Sequence, residues 1–236
     1  MTIPWTRIAQ KLRWWVNRNR PKKSYSQCGE DLIMDSMFGS LGIKRPSYMD
    51  IGAYDPYEIS NTYLFYRRGS RGVCIEPNPV RFRRIQRARR GDTCFNMGVG
   101  PETKAAMDFF IMSQETLSTF SAEEARRVAT YGRNRIKKTL QIPVIALPDL
   151  IAKHHLQAPD FLSIDLEGSE LAVLQTLDLK TWRPKAFCVE TLTYTEDKTE
   201  KKQLDTIQWI KDQNYMLYAD TYINSIFVDR AFWDQR

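Results

Sequence analysis

From residue 47 onward the chain alternates between two hydrophobic periods. Short apolar runs that close on an acid or a glycine give way to stretches with apolar residues three and four apart. The runs SYMDIGA (47–53), GVCIEPNP (72–79), DTCFNMGVG (92–100), DFLSIDLEG (160–168) and PKAFCVET (184–191) predict strands. The stretches 57–68, 80–90, 169–178 and 199–213 predict helices. Ser60 or Asn61 is a possible cap within the first. Leu171, Leu174 and Leu177 share a face of the third, and Leu204, Ile207 and Ile210 have helical spacing in the fourth. Residues 104–112 and 139–147 predict two further strands around a polar, partly helical stretch at 113–138. Residues 214–220 and 224–230 predict a closing antiparallel pair. Such alternation implies an α/β domain with a mostly parallel sheet covered by helices on both faces.

The first 23 residues read differently. Residues 5–18 predict a helix with Trp5, Ile8, Ala9, Leu12, Trp15 and Val16 on one face. Arg7, Lys11 and Arg18 lie on the other, together with Trp14, and Pro21 marks a boundary. Charge sharpens this division. The 236 residues hold 35 Lys and Arg against 28 Asp and Glu, a net charge of +7. Arg7, Lys11, Arg13, Arg18, Arg20, Lys22 and Lys23 supply all of that surplus, with no acid among residues 1–23. The body at 24–236 is neutral, which argues against a uniformly basic nucleic-acid binder. The arm is read as a basic amphipathic segment that packs on protein or meets an anionic membrane surface.

A hydrophobic content of 42% excludes a wholly disordered chain, and no apolar run is long enough to span a membrane. The N-terminus lacks the continuous apolar core of a secretory signal. Cys28, Cys74, Cys94 and Cys188 are far apart and form no CxxC pair. They are read as reduced, buried thiols of a cytoplasmic protein. His154 and His155 are adjacent, without ligand spacing, and are read as a solvated end. Residues 67–90 hold nine arginines against Glu76 alone. They are either a solvated outer helix face or a patch for a phosphate-bearing substrate, a membrane or RNA.

Ligands of open α/β sheets bind beyond the carboxyl ends of the strands. Here those ends carry Asp50, Glu76, Asp165 with Glu167, and Glu190. The turn after Asp50, Ile51-Gly52-Ala53, is neither GxGxxG nor a P-loop, so no phosphate site is indicated. Glu76, 26 residues after Asp50, suits a ribose diol. A glycine turn and a ribose-binding acid without a phosphate loop fit S-adenosylmethionine.

The blocks YSQCGED (25–31), DIGAYDP (50–56), SNTYLFYRRG (60–69), IEPNP (75–79), IDLEGSE (164–170) and VET (189–191), in that order, resemble the FkbM-type S-adenosylmethionine-dependent methyltransferases. The resemblance implies a class I methyltransferase (Rossmann-like) fold, a seven-stranded sheet with a reversed last strand. It implies O-methylation of a sugar, glycan, glycolipid or natural-product hydroxyl. Carried onto this chain, Asp50, Gly52 and Ala53 line the methionine half of the cofactor. Glu76 holds the ribose, Asn78 sits beside the adenosine, and Asn96 and Gly98 approach the adenine. Gln27, Glu30 and Asp31 close over the cofactor. Residues 113–138 are the expected lid or acceptor-specificity segment.

Methyl transfer to a hydroxyl needs alignment and a proton acceptor. Asp165, Glu167 and Glu190 are the candidate catalytic carboxylates. Alternatively, two or three of them hold a Mg²⁺ that acidifies the hydroxyl. Glu167 also reads as a helix-start acid, and Glu190 as an arginine's partner. Two other functions stay open: a nucleic-acid methyltransferase favoured by the arginines, and a catalytically silent binding module with the same fold.

Overall fold

The computed structural model describes residues 22–131, 134–192 and 200–235. The predicted helix at 5–18, and with it the arm's proposed partner, lies outside the described residues.

Seven strands form the central sheet: β1 (Tyr48–Ile51), β2 (Gly72–Ile75), β3 (Thr93–Phe95), β7 (Phe161–Ile164), β8 (Ala186–Glu190), β9 (Tyr215–Asp220) and β10 (Asn224–Asp229). Their order is β3-β2-β1-β7-β8-β10-β9. All pairings are parallel except those of β10, which runs antiparallel to both neighbours. This is the class I methyltransferase arrangement, with the last strand reversed. Most sequence-predicted strands appear with an end trimmed by one to four residues; the one at 104–112 keeps its bounds, the one predicted from 139 starts at Ile136, and the chain predicted as one strand at 92–100 is broken. There the chain divides into β3 and β4 (Gly98–Gly100). β4 leaves the central sheet and pairs with β6 (Ile136–Ala146), which also pairs with β5 (Lys104–Met112), in a separate three-stranded sheet. The break falls where Asn96 turns its amide onto the Glu76 and Pro77 carbonyls, each at 2.9 Å.

Strand alternation sorts side chains onto two faces. Met49, Ile51, Ile75, Leu162, Ile164, Phe187 and Val189 form one core. It is closed by α5 (Leu147–His154), α6 (Glu170–Leu174) and α7 (Leu204–Asp212). Tyr48, Cys74, Phe161, Ala186, Cys188, Ile226 and Val228 form the other. That side is closed by α1 (Glu30–Ser40), α2 (Tyr63–Arg67) and α3 (Pro79–Ala88). The remaining helices are α4 (Ala122–Tyr131) and α8 (Arg230–Trp233).

Local chemistry explains the helix starts. Asn78 Oδ1 accepts from the Val80 N–H at 3.0 Å, and Pro79 occupies the first helical position of α3. The helix predicted over 57–68 is shorter, because residues 55–59 form turns on Asp55, whose Oδ1 accepts from the Tyr57 and Glu58 N–H groups. Ser60 Oγ accepts from the Tyr63 N–H at 3.1 Å. Helix α1 has no counterpart in the sequence reading. Its first-turn acids Glu30 and Asp31 are buried, which breaks the amphipathic pattern. His154 ends α5 and His155 follows in a left-handed conformation; both are exposed, as a solvated end predicts.

Candidate active site

Parallel register brings the strand-end residues into line. Ile51 pairs with Ile75 and Ile164, and Ile164 pairs with Val189. The next residues, Glu76, Gly52, Asp165 and Glu190, therefore stand side by side across four adjacent strands. Neighbouring strands are about 4.8 Å apart, so this row spans about 15 Å. It forms part of the lining of a cavity of about 300 Å³. The opposite wall comes from β4, from Phe109 of β5, and from residues 114–120.

Gly52 sits at φ +82°, and a Cβ there would overlap the Asp165 carbonyl group. Only glycine lets β1 and β7 close at this point while leaving the cavity floor open. Gly98 has a related role: a Cβ would collide with the Phe120 ring and meet Val144 Cγ2 at 3.1 Å. Phe120 packs against Phe109, with ring centroids 4.7 Å apart, so the absent side chain admits an aromatic wall.

Glu76 is buried at the end of β2. One carboxylate oxygen accepts from the Tyr54 N–H and the other from the Asn78 N–H, both at 2.8 Å. These bonds fix the carboxyl plane and leave lone pairs for the cavity. Burial outweighs them and pushes its pKa up to about 7.

Asp165 lines the cavity with its surface exposed, while the surrounding protein desolvates its carboxyl group. Burial, then the nearby Glu170 carboxylate, raises its pKa to about 6. Glu190 is raised well above the ordinary range, by burial and then by the Asp165 charge. The two form a close carboxyl pair, with oxygens within 4.8 Å of each other, in which ionisation of one disfavours ionisation of the other. Glu167 also lines the cavity, and burial raises it too, followed by the Asp165 and Glu170 charges.

The turn behind this pair depends on a residue the sequence reading did not single out. Glu167 and Gly168 are both left-handed, at φ +52° and +102°. Glu170 bridges the turn, its carboxylate accepting from Leu166 N–H at 2.8 Å and Gly168 N–H at 3.1 Å. Glu170, rather than Glu167, is therefore the helix-start acid, in the first turn of α6. Oxygens of Asp165, Glu170 and Glu190 lie within 4.8 Å of one another, a different trio from that proposed for Mg²⁺. Glu170 already serves backbone N–H groups, which leaves two free carboxylates. This donor set suits proton acceptance better than a cation cage.

Of the other sequence-predicted cofactor residues, Gln27 and Asn78 line the cavity, Asn78 while capping α3. Asp50, Ala53, Asn96, Glu30 and Asp31 do not line it. Asp50 points into the second core, two residues below the edge, and accepts from Thr62 Oγ1 at 2.6 Å. The Ala53 N–H donates to the Ile75 carbonyl at 3.1 Å. Glu30 accepts from Thr221 Oγ1 and Asn224 Nδ2, at 2.7 and 3.0 Å. Asp31 accepts from Ser24 Oγ, Ser26 Oγ and the Tyr25 N–H. Asp31 thus holds residues 24–26 in place, and Glu30 ties the Cys28 N–H to the 221–224 turn, whose Ile223 lines the cavity.

Arg81 and Arg89 are not solvated, although both belong to the arginine-rich stretch. Arg89 is fully buried and donates to the Pro56 carbonyl, Ser60 Oγ and Thr62 Oγ1. Arg81 crosses the cavity rim, binding Glu115 at 2.7 Å, Asp55 at 3.2 Å and the Tyr54 hydroxyl at 3.0 Å. No local signal separates these two from their exposed neighbours, because only distant residues define their surroundings.

Comparison with known proteins bears on the whole of this geometry. Among curated proteins, none matches the chain. Three solved structures overlap it at low identity. A TehB-like SAM-dependent methyltransferase from Corynebacterium glutamicum is 8% identical, with 95% of this chain and 97% of that one covered and a TM-score of 0.41. An O-methyltransferase from Bacillus cereus in complex with SAH is 10% identical, with 97% and 93% covered and a TM-score of 0.43. A methyltransferase from Geobacter sulfurreducens is 11% identical, with 97% and 90% covered and a TM-score of 0.44. Overlap of this degree carries no weight for chemistry, and the fold rests on the strand order itself. The methyltransferase FkbM domain profile matches residues 50–217, from the β1 acid into β9. The chain thus belongs to the FkbM methyltransferase family and is an S-adenosylmethionine-dependent methyltransferase.

Proposed function

We propose that the protein is an O-methyltransferase acting on a hydroxyl of a sugar, glycan, glycolipid or natural product. The observation that supports this most is the Asp165–Glu190 carboxyl pair at the cavity floor, beside the glycine turn and Glu76. The cofactor supplies an electrophilic methyl group on a sulfonium and carries net positive charge. An acid-lined cavity complements it. Glu76 holds the ribose hydroxyls on its free lone pairs, with Gln27, Gly52, Asn78 and Gly98 around the rest of the cofactor. Asp165 accepts the acceptor's hydroxyl proton as the new C–O bond forms and the C–S bond breaks. Glu190, holding its own proton beside Asp165, leaves Asp165 as the carboxylate that accepts. Gln114, Thr116, Ser118 and Thr119 on the opposite wall offer the polar groups a hydroxylated acceptor needs. No step needs a divalent cation. Four free cysteines, of which Cys74 and Cys188 are buried but Cys28 is exposed, fit a reducing, cytoplasmic compartment.

The test combines calorimetry with transfer of labelled methyl groups to separate pools of lipid-linked glycan, small sugars and RNA. Asp165→Asn should bind S-adenosylmethionine within about threefold of wild type yet transfer about 10²-fold slower or worse. Label in RNA alone would overturn the substrate reading. An Asp165→Asn variant with full activity would overturn the assignment of the base.

A further inference from the structure

One face of the molecule gathers cations and apolar side chains that neither the fold nor the cavity uses. Arg83, Arg87 and Arg90 are exposed at i, i+4 and i+7 along α3 and just beyond it. None of the three has a hydrogen-bond or ion-pair partner among the described residues. The charge continues past the helix. The Arg71 side chain lies against Gly91, next to Arg90, and its guanidinium covers the Tyr66 ring at 4.8 Å. Arg67 and Lys23 flank the Tyr25 ring at 5.4 and 5.1 Å. Lys22 and Arg68 meet on Asp35. The stripe thus reaches the point where the described chain begins, after an arm whose sequence carries five further cations and no acid.

At its other end the stripe meets an apolar rim. Val80, at the start of α3, is 61% exposed, and Ile59 and Tyr57 are 45% and 44% exposed. Residues 55–59 are tied to α3 by Arg81, Arg84 and Arg89, so these side chains share that side. Ile59 also lines the cavity. Glu58 is the exposed acid of this rim.

We propose that this surface is a docking face for an anionic lipid bilayer. Val80, Ile59 and Tyr57 enter the headgroup layer, and Arg83, Arg87, Arg90, Arg71, Arg67 and Lys23 meet lipid phosphates. Docking brings the cavity mouth to the membrane. The exposed aliphatic side chains favour lipid over single-stranded nucleic acid. Base stacking needs several open aromatic faces, whereas those of Tyr25 and Tyr66 are already covered by cations and the exposed Tyr57 packs edge-on against Tyr63.

The experiment is co-sedimentation of the full chain with phosphatidylcholine vesicles, with and without phosphatidylglycerol. Wild type should bind only the phosphatidylglycerol vesicles, and rising salt should release it. Arg83→Glu/Arg87→Glu/Arg90→Glu should weaken that binding at least about tenfold. The corresponding triple Lys variant should retain it, and Val80→Asp should weaken it further. Calorimetric S-adenosylmethionine binding by each variant controls for folding, independently of any acceptor. Unchanged binding by the triple Glu variant would overturn the proposal, because the arm alone would then carry the interaction. Tighter binding to single-stranded RNA than to phosphatidylglycerol vesicles at equal salt would also overturn it.

Discussion

Gly52 passes so close to Asp165 that a Cβ at residue 52 would overlap the Asp165 carbonyl oxygen and come within 3.2 Å of its carbonyl carbon. The cofactor turn and the proposed base are thus parts of one close contact between β1 and β7. The same contact leaves Glu76 and Glu190 as flanking acids on either side.

Gly52→Ala should therefore damage both stability and binding. The side chain has no room, and φ +82° is unfavourable for alanine. We expect a loss of at least about 2 kcal/mol in urea unfolding, with cofactor affinity reduced in calorimetry. Wild-type stability in this variant would mean that β1 and β7 can separate without cost.

Glu76 makes a pH signature. Its folded pKa of about 7 stands above the ordinary 4.5, so the folded protein holds the proton more tightly than the unfolded chain does. The resulting stabilisation is fully present below about pH 4.5 and is lost as pH rises to about 7. Asp165 adds a contribution of the same sign, lost between 3.8 and about 6. The cofactor-free protein should melt at lower temperature at pH 7.5 than at pH 5.5, and Glu76→Gln should flatten that slope. Cofactor affinity should run the other way, rising through pH 7 as Glu76 ionises and accepts the ribose hydroxyls. Glu76→Gln should bind the cofactor at least about tenfold more weakly at pH 8.

Arg81 ties α3 to the cavity wall through Glu115, and to the β1 loop through Tyr54 and Asp55. Arg81→Ala should raise hydrogen exchange at residues 114–120 while the central strands stay protected. Unchanged exchange there would show that Phe109, Phe120 and the bridge between Phe110 and Thr119 hold the wall unaided.

Arg89 is the cation of the second core. Asp50 and Asp92 each lie 4.0 Å from it, and burial raises both carboxyls. Arg89→Met should cost about 3–5 kcal/mol in urea unfolding, because it strands Asp50, Asp92 and the Pro56 carbonyl without their partner. A loss below about 1 kcal/mol would mean that those acids take up protons or water without penalty.

The strand ends were legible in the sequence because each signal is local. A β-branched run stopped by Gly, Pro or an acid says where a strand stops. With parallel pairing, that is enough to bring Gly52, Glu76, Asp165 and Glu190 to one edge. The charged arm is equally local, since composition alone separates residues 1–23 from the neutral body. Other features depended on partners far away in the chain. Glu30 meets Thr221 and Asn224 across more than 190 residues, so a buried acid pair resembled a cofactor motif. Arg89 and Arg87 lie two residues apart in one basic run, and only packing makes the first a core residue and the second a surface cation. Glu170 replaced Glu167 as the acid bracing the turn because two left-handed residues reverse the chain there. Sequence by itself determined which residue types reach the active edge. Tertiary structure decided which of them face the cavity, because facing depends on the pleat, the turn and contacts that no local pattern encodes.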